Sequence, residues 1–252
     1  MRRWSGYLGW DMSVKGYNER LFRAGSLRVL YHQQRFQWVR DVLRRLNLNP
    51  ASVVELGCFD GRLLDNLPSL PSTYVGLDAG WEGGLNLAQS TRATNSIRFL
   101  CSTDPVDLSR FPEGSFSLGV AIETMEHISP QLIDDYIAQL SRIVDGHLLV
   151  SVPNEKGVPL LLRQSVKSLM SWNEEGSSDK YTAREFLDGV LGRMDRIARH
   201  EHKGFDYDAL VRQIAKRFEI ASVEGIPSRA LPPSLSFSVG IVARTARARR
   251  DL

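Results

Sequence analysis

Residues 53–64 read VVELGCFDGRLL, and residues 74–78 read YVGLD. The first stretch predicts a buried strand, a glycine-bent turn and a helix start, and the second predicts a buried strand that ends in a carboxylate. Gly57 and Gly61 allow the backbone to approach a ligand because no Cβ stands in the way. Asp78 follows Gly57 by twenty-one residues, where it can accept hydrogen bonds from both hydroxyls of a ribose. The two stretches therefore predict an α/β sheet with an adenosine-binding crevice.

The residues of this turn bear on which adenosine cofactor would bind. A dinucleotide fingerprint has three glycines, so that a pyrophosphate can sit on the helix N-terminus. Here Phe59 stands at the middle position and the strand carries the acid Glu55. A carboxylate beside the turn would repel a pyrophosphate and attract a cation. S-adenosylmethionine (SAM) presents a sulfonium and an ammonium group, so the turn favours SAM over NAD.

With this acid and these glycines the chain resembles the class I SAM-dependent methyltransferases, whose first motif is an acid followed by glycine-x-glycine-x-glycine. Phe59 replaces their middle glycine. Three later stretches are similar to the third, fourth and fifth strands of that family: residues 97–101 (IRFLC), 116–128 (FSLGVAIETMEHI) and 147–155 (HLLVSVPNE). The resemblance covers residues 51–155. It implies an α/β fold with a Rossmann-like seven-stranded sheet, helices on both faces and an antiparallel last strand.

The resemblance also implies roles for single residues in cofactor binding. Glu55, Gly57 and Gly61 would form the turn, with Glu55 facing the methionyl ammonium group of SAM. Asp78 would hold the ribose, and Asp104 falls where the family keeps an acid near the adenine amino group. A non-catalytic SAM-binding protein would keep these residues too, and it is the alternative from a different functional class.

Methyl transfer to a hydroxyl requires the acceptor to lie in line with the activated methyl group and to lose a proton. His127 follows the fourth strand, whose end faces the methyl group in this family, and imidazole titrates near neutral pH. His127 is therefore the candidate base. The alternative is a structural role, in which His127 caps the following helix or forms a hydrogen bond within the turn.

Glu123, Glu126 and His127 form the spacing Glu-x-x-Glu-His. This spacing resembles the divalent-metal ligands of ubiquinone-biosynthetic O-methyltransferases and of small-RNA 2′-O-methyltransferases. Carboxylates with one imidazole suit Mg²⁺ or Mn²⁺, which could orient two acceptor oxygens and lower the pKa of a hydroxyl. A metal-bound His127 could not also act as the free base. His200 or His202 could supply a further ligand or the base, although an exposed histidine pair is the commoner explanation.

The acceptor is the least specified part of the interpretation. Residues 153–155, 181–186 and 203–206 resemble methyltransferases of saccharides, cell-envelope compounds and secondary metabolites, which favours O-methylation of a sugar or a polyol-like small molecule. The alternative enzyme is an RNA ribose 2′-O-methyltransferase. Residues 1–49 hold ten Arg and Lys against three acids, but no RNA-binding module accompanies this charge. Nucleic acid is therefore not the expected partner.

Length and composition predict one domain, because 252 residues with 42% hydrophobic content can bury a single large core. Within residues 1–252 we expect an N-terminal helical cover over residues 1–49, an acceptor-site insertion over residues 156–205 and a basic tail over residues 244–252. No apolar run approaches the roughly 18 residues of a membrane helix. Cys58 and Cys101 predict reduced core thiols rather than a disulfide or a metal site. A cytoplasmic location follows as an expectation.

The remaining pattern predicts helices between the strands. Apolar residues recur at helical spacing over residues 27–47 and again after Ser129, which reads as a capping residue. Thr182 and Glu185 have the spacing of a capping box. Residues 218–223 and 236–242 predict strands six and seven.

Overall fold

A seven-stranded sheet with the order β3-β2-β1-β4-β5-β7-β6 forms the centre of the fold. Its strands are Ser52–Leu56 (β1), Thr73–Asp78 (β2), Ile97–Cys101 (β3), Phe116–Ile122 (β4), Val144–Pro153 (β5), Glu219–Ile226 (β6) and Ser238–Arg244 (β7). β1 to β5 pair in parallel, and β7 runs antiparallel to β5 and β6. The strand order reverses between β1 and β4, and such a reversal opens a ligand crevice at the carboxyl ends of the strands.

The computed structural model describes residues 27–169, 181–200 and 202–245, without the side chains of residues 27–32 and 166–169. These residues form six α-helices: Leu27–Arg45 (α1), Gly84–Arg92 (α2), Pro130–Ile143 (α3), Gly157–Leu169 (α4), Ala183–Val190 (α5) and Tyr207–Ala215 (α6). Side chains of α1 and α2 pack on one face of the sheet, and those of α3 and α6 pack on the other. The arrangement confirms the predicted Rossmann-like sheet with helices on both faces and an antiparallel last strand.

Helix α1 is fixed to the sheet through a buried carboxylate on β6. Glu224 accepts hydrogen bonds from Trp38 Nε1 (3.1 Å) and Arg45 Nη2 (2.6 Å). Trp38 also lies against Gly240 of β7, where a Cβ would come within 2.7 Å of Nε1 and closer to ring carbons. Because Arg45 leads to Ser52 at the amino end of β1, α1 begins near the carboxyl ends of the strands.

The two capping predictions have different outcomes. Thr182 Oγ1 accepts a hydrogen bond from the backbone N–H of Glu185, whose side chain accepts one from the N–H of Thr182, so the capping box is confirmed. Ser129 precedes α3, but its hydroxyl donates to the side-chain oxygen of Gln131 and caps no backbone N–H. The prediction of a side-chain cap at Ser129 was wrong, because the hydroxyl has a competing partner on the adjacent helix turn.

The cysteines also differ from each other. Cys58 is buried, whereas Cys101 is exposed at the end of β3. The prediction of two core thiols was therefore wrong for Cys101, which lies at the end of the strand rather than within its buried part. No helix among the described residues has the length and apolar composition of a membrane span.

Parts of the predicted domain organisation lie outside the described residues. These are residues 1–26 of the N-terminal cover, residues 170–180 and 201 of the insertion, and residues 246–252 of the basic tail. The division into cover, insertion and tail stays a prediction.

Candidate active site

The glycine turn (residues 57–61) joins β1 to a short 3-10 helix. Gly57 and Gly61 have φ angles of +76° and +71°, a region that L side chains rarely adopt. The N–H of Gly57 donates to the carbonyl of Leu77 at the end of β2 (2.7 Å). A Cβ on Gly61 would come within 2.7 Å of the Phe99 ring. Both predicted glycines are therefore required by backbone conformation and by close packing.

Phe59 occupies the position of the middle family glycine with a left-handed φ of +45°. Its N–H donates to Oδ2 of Asp78 (2.9 Å). Its ring packs on Gly84, the first residue of α2, where a Cβ would lie within 2.7 Å of ring atom Cγ and closer to others. The turn thus keeps its shape without the glycine, because a glycine on α2 makes room for the phenylalanine ring.

Asp78 lies at the carboxyl end of β2, where its two carboxylate oxygens bind the backbone. Oδ2 accepts from Phe59 N, and Oδ1 accepts from Gly80 N (2.8 Å). These bonds fix the orientation of the carboxylate, and each oxygen retains lone-pair capacity for another donor. A ribose with two hydroxyls fits this carboxylate.

Glu55 is buried on the face of the sheet that α1 and α2 cover, and it accepts a hydrogen bond from the Tyr74 hydroxyl. Burial raises the pKa of Glu55 well above its ordinary value, and the bond from Tyr74 opposes that shift. Among the described residues, this carboxylate thus contacts the Tyr74 side chain of β2. Its contact with an ammonium group stays a prediction.

Asp104 follows β3 and is exposed at the same edge of the sheet as Asp78. It caps the 3-10 helix Pro105–Arg110 by accepting a hydrogen bond from Val106 N (2.8 Å). Burial, and after it the negative charge of Asp104, raise the pKa of the nearby Tyr136 to about 12. The position at the ends of the parallel strands suits the predicted contact with adenine, which stays a prediction.

The acid turn (residues 123–128) follows β4. Glu123 has a left-handed φ of +48°, its N–H donates to the carbonyl of Ser151 (2.8 Å), and its Oε1 accepts from the Ser151 hydroxyl (3.4 Å). Glu126 is 1% exposed, and neither of its carboxylate oxygens has a hydrogen-bond partner among the described residues. A buried carboxylate without a partner is costly unless a cation or a proton accompanies it.

His127 and His202 lie beside this carboxylate. Nε2 of His127 is 3.9 Å from Oε1 of Glu126, and the ring centroids of His127 and His202 are 4.5 Å apart. One ligand atom from each of Glu126, His127 and His202 lies within 4.8 Å of the others. The set fits a divalent cation, which would supply the partner that Glu126 lacks. Glu123 is not part of this closest group, and His200 instead pairs through its backbone with Lys203.

The electrostatics of the acid turn include an arginine that sequence reasoning missed. Burial raises the pKa of Glu126 well above its ordinary value, and the charge of Glu123 raises it further. Burial also raises the pKa of Glu123, and the charge of Arg35 on α1 opposes the shift for both acids. No local spacing signals Arg35, because the packing of α1 brings it to the acids from a distant part of the sequence.

The loop after β5 is held by contacts with α4 and with the β6–β7 connection. The Asn154 amide donates to the carbonyls of Pro233 (3.0 Å) and Ser236 (3.1 Å). Glu155 is buried and accepts from Arg163 Nη1 of α4 (2.6 Å). The loop thereby joins α4 and the β6–β7 connection to the edge of the crevice.

Solved structures share this fold at low sequence identity. A SAM-dependent methyltransferase from Clostridium acetobutylicum ATCC 824 aligns with a TM-score of 0.58 and 13% identity over 90% of this chain and 96% of that one. Magnesium protoporphyrin IX methyltransferase (ChlM) from Synechocystis PCC 6803 with bound SAH aligns with a TM-score of 0.52 and 18% identity over 90% and 92%. Small RNA methyltransferase HEN1 aligns with a TM-score of 0.58 and 16% identity over 88% of this chain and 26% of that one. No family model and no curated protein matches the sequence. The chain has the fold of the SAM-dependent methyltransferases.

Proposed function

We propose that the protein is a SAM-dependent O-methyltransferase whose acceptor carries adjacent hydroxyls, with a sugar or polyol-like small molecule as the favoured acceptor. The observation that carries the proposal is the buried carboxylate of Glu126, which has no hydrogen-bond partner in the described part of the chain and lies within 4.8 Å of a ring nitrogen of His127 and of His202. This group lies at the carboxyl end of β4, beside the crevice that the glycine turn and Asp78 border.

The residues of the glycine turn and Asp78 support the proposal that the protein binds SAM. Gly57 and Gly61 present backbone without a Cβ, and Asp78 presents a fixed carboxylate to the ribose. When bound, SAM supplies an activated methyl group. The protein then has to hold the acceptor oxygen in line with that group and to provide for its proton.

Glu126, His127 and His202 would hold a divalent cation such as Mg²⁺ or Mn²⁺, with Glu123 as a further carboxylate nearby. When bound, such an ion orients oxygen ligands and lowers the pKa of a hydroxyl. If no ion binds, the side chain of His127, which is 48% exposed, can accept the proton of the acceptor directly.

RNA ribose 2′-O-methylation is the second candidate. Similarity to small RNA methyltransferase HEN1 and the positive balance of residues 1–49 favour it. A ribose at an RNA 3′ end and a sugar both present adjacent hydroxyls, so the same group of ligands serves either acceptor. Separate acceptor pools are needed to distinguish the two.

The test is incubation with methyl-labelled SAM and Mn²⁺, with sugars and polyols in one pool and short RNAs in another. A parallel sample of each pool is treated beforehand with periodate, which cleaves adjacent hydroxyls. Label that enters one untreated pool and is lost after periodate supports the proposal and identifies the acceptor class. Label that persists after periodate contradicts an acceptor with adjacent hydroxyls, and SAM binding without transfer to any pool favours the non-catalytic alternative.

A further inference from the structure

The His202 hairpin (residues 197–200 and 202–204) is attached to the acid turn through Arg199. Nη2 of Arg199 donates to three backbone carbonyls of the acid turn, those of Met125 (3.3 Å), Glu126 (3.1 Å) and Ile128 (3.0 Å). The Met125 carbonyl also accepts a hydrogen bond from the N–H of Ile128 (3.4 Å), but carbonyls at the end of a helix generally lack partners within it. Arg199 therefore completes the acid turn while belonging to the hairpin that carries His202.

The arginine itself is held in place. Its guanidinium carbon lies 5.1 Å from the ring centroid of Phe205, which is 2% exposed. Burial lowers the pKa of Arg199, and the charge of Glu126 opposes that shift. A half-buried guanidinium between a ring and three carbonyls has few alternative positions, so it defines the distance between the hairpin and the turn.

Three further contacts hold the hairpin together and join it to α5. His200 and Lys203 exchange two backbone hydrogen bonds of 3.0 Å, which close the hairpin on itself. Lys203 Nζ pairs with Glu185 Oε1 of α5 (2.8 Å). Gly204 has a φ of +74°, and a Cβ there would lie 3.2 Å from the carbonyls of Ala198 and Ile197. These contacts set the hairpin's shape and its attachment to α5, but not its distance from the acid turn.

We propose that Arg199 is a positioning residue of the candidate metal site: by binding the carbonyls of the acid turn, it holds His202 within ligand distance of Glu126 and His127. The inference rests on the proposed metal-binding function. It assigns to Arg199 no contact with the acceptor or the cofactor.

The test compares Mn²⁺ affinity in Arg199→Met, Arg199→Lys and a control, Arg196→Met. Arg196 neighbours the hairpin, but its side chain is 54% exposed and lies 3.8 Å from Asp188, away from the acid turn. Residues that orient metal ligands typically change metal affinity by about 10- to 100-fold. We expect such a loss in Arg199→Met, a smaller loss in Arg199→Lys, which keeps a donor, and wild-type affinity in Arg196→Met.

A double variant separates positioning from general destabilisation. If Arg199 acts through His202, Arg199→Met should add no further loss of Mn²⁺ affinity to His202→Ala. The absorption spectrum of bound Co²⁺ should also change in the same direction in both single variants, because each removes one imidazole ligand. Arg199→Lys provides the same comparison if Arg199→Met does not fold.

Each outcome is decisive. Equal losses of affinity in the presence and absence of His202 overturn the positioning role, as does wild-type affinity in Arg199→Met. If the wild-type protein binds neither Mn²⁺ nor Co²⁺, the metal-binding function itself fails and the role of Arg199 fails with it.

Discussion

The side chain of Thr124 lies over the α-carbon of Gly57. A Cβ on Gly57 would come within 2.8 Å of Thr124 Cβ and 2.6 Å of its Cγ2, and closer still to its hydroxyl oxygen. Gly57 belongs to the glycine turn and Thr124 to the acid turn. The proposed cofactor side and the proposed metal side therefore share a direct contact at these two residues.

Gly57→Ala tests this contact. The variant should lose SAM binding and more than about 2 kcal/mol of unfolding free energy, because left-handed strain and overpacking against Thr124 add together. Gly192→Ala is the matched control, since Gly192 has a φ of +73° and, apart from its chain neighbours, no atom of the described residues lies within 4 Å of the position that its Cβ would take. It should lose only the strain, about 1–2 kcal/mol. Urea unfolding measures both losses, and an equal loss of unfolding free energy in the two variants would contradict the contact between Gly57 and Thr124.

Asp78→Ala tests the ribose assignment. Calorimetry should show binding of SAM and S-adenosylhomocysteine to the wild type and negligible binding of NAD. The variant should lose about 1.5–3 kcal/mol of SAM binding free energy, the range for hydrogen bonds to a charged group. Asp107→Ala is the control, because Asp107 pairs with Arg110 on the surface at 2.8 Å. Unchanged SAM affinity in Asp78→Ala would remove the assignment.

Single substitutions distinguish the metal-assisted reaction from simple base catalysis. With a metal, Glu126→Ala, His127→Ala and His202→Ala should each reduce turnover severely, and a chelator should do the same to the wild type. With a simple base, only His127→Ala should lose roughly 10²- to 10⁴-fold, and the chelator should have no effect. Activity would then rise with pH through an imidazole-like pKa. Full turnover in His127→Ala would exclude both mechanisms.

Two further measurements serve as controls for these variants. His200→Ala replaces an exposed histidine close to His202 in sequence, and it should retain turnover under both mechanisms. SAM affinity should stay near the wild-type value in every variant, since neither role involves the adenosine. A general loss of SAM affinity would indicate misfolding rather than loss of a ligand or base.

The buried Glu55 predicts a pH dependence of stability. Because burial raises its pKa, the folded state retains a proton that the unfolded state releases above about pH 4.3. Stability contributed by this group is therefore lost as pH rises from that value through the raised pKa of the folded state. Glu55→Gln keeps an oxygen for the Tyr74 hydroxyl and does not titrate.

The unfolding free energy of Glu55→Gln relative to wild type should accordingly increase with pH over that range, by about 1.4 kcal/mol for each unit of pKa shift. Glu123 and Glu126 titrate in both proteins, so their contributions cancel in the difference. Urea unfolding of both proteins at a series of pH values measures this difference in unfolding free energy. A difference that does not vary with pH would contradict the raised pKa of the buried Glu55.

The attachment of α1 predicts a large loss of stability in Glu224→Ala. The substitution leaves the buried Trp38 Nε1 without its acceptor and Arg45 without its ion pair. We expect a loss of about 2–4 kcal/mol, near the lower part of the range for broken buried pairs because Arg45 is 30% exposed. Asp41→Ala removes an exposed pair on the same helix and should change stability by less than about 0.5 kcal/mol.

The centre of the sheet was predictable from sequence because its inner strands are buried on both faces. Such strands read as nearly continuous apolar runs, as in β4 and in the centre of β5. The glycine turn and the acid turn were predictable because the residues within each are close in sequence. Both turns follow the carboxyl ends of neighbouring parallel strands, which brings them together without further information.

The sequence did not indicate which histidine joins the acid turn. His200 and His202 differ only in their place on a hairpin, and its backbone pairing points His202 toward His127. Arg35 and Arg199 were missed for a related reason. Their distances to the acids depend on how a helix and a hairpin pack, which no local spacing encodes. Likewise, the Tyr74 partner of Glu55 depends on contacts between neighbouring strands.

The packing of Phe59 on Gly84 has a consequence for the history of the sequence. A phenylalanine at position 59 is tolerated while position 84 has no side chain, and a side chain at 84 would displace the ring. A substitution at one of the two positions therefore affects which residues the other can hold, so we expect substitutions at positions 59 and 84 to be correlated among related sequences. In this chain the small residue needed beside the turn is at position 84, twenty-five positions after Phe59.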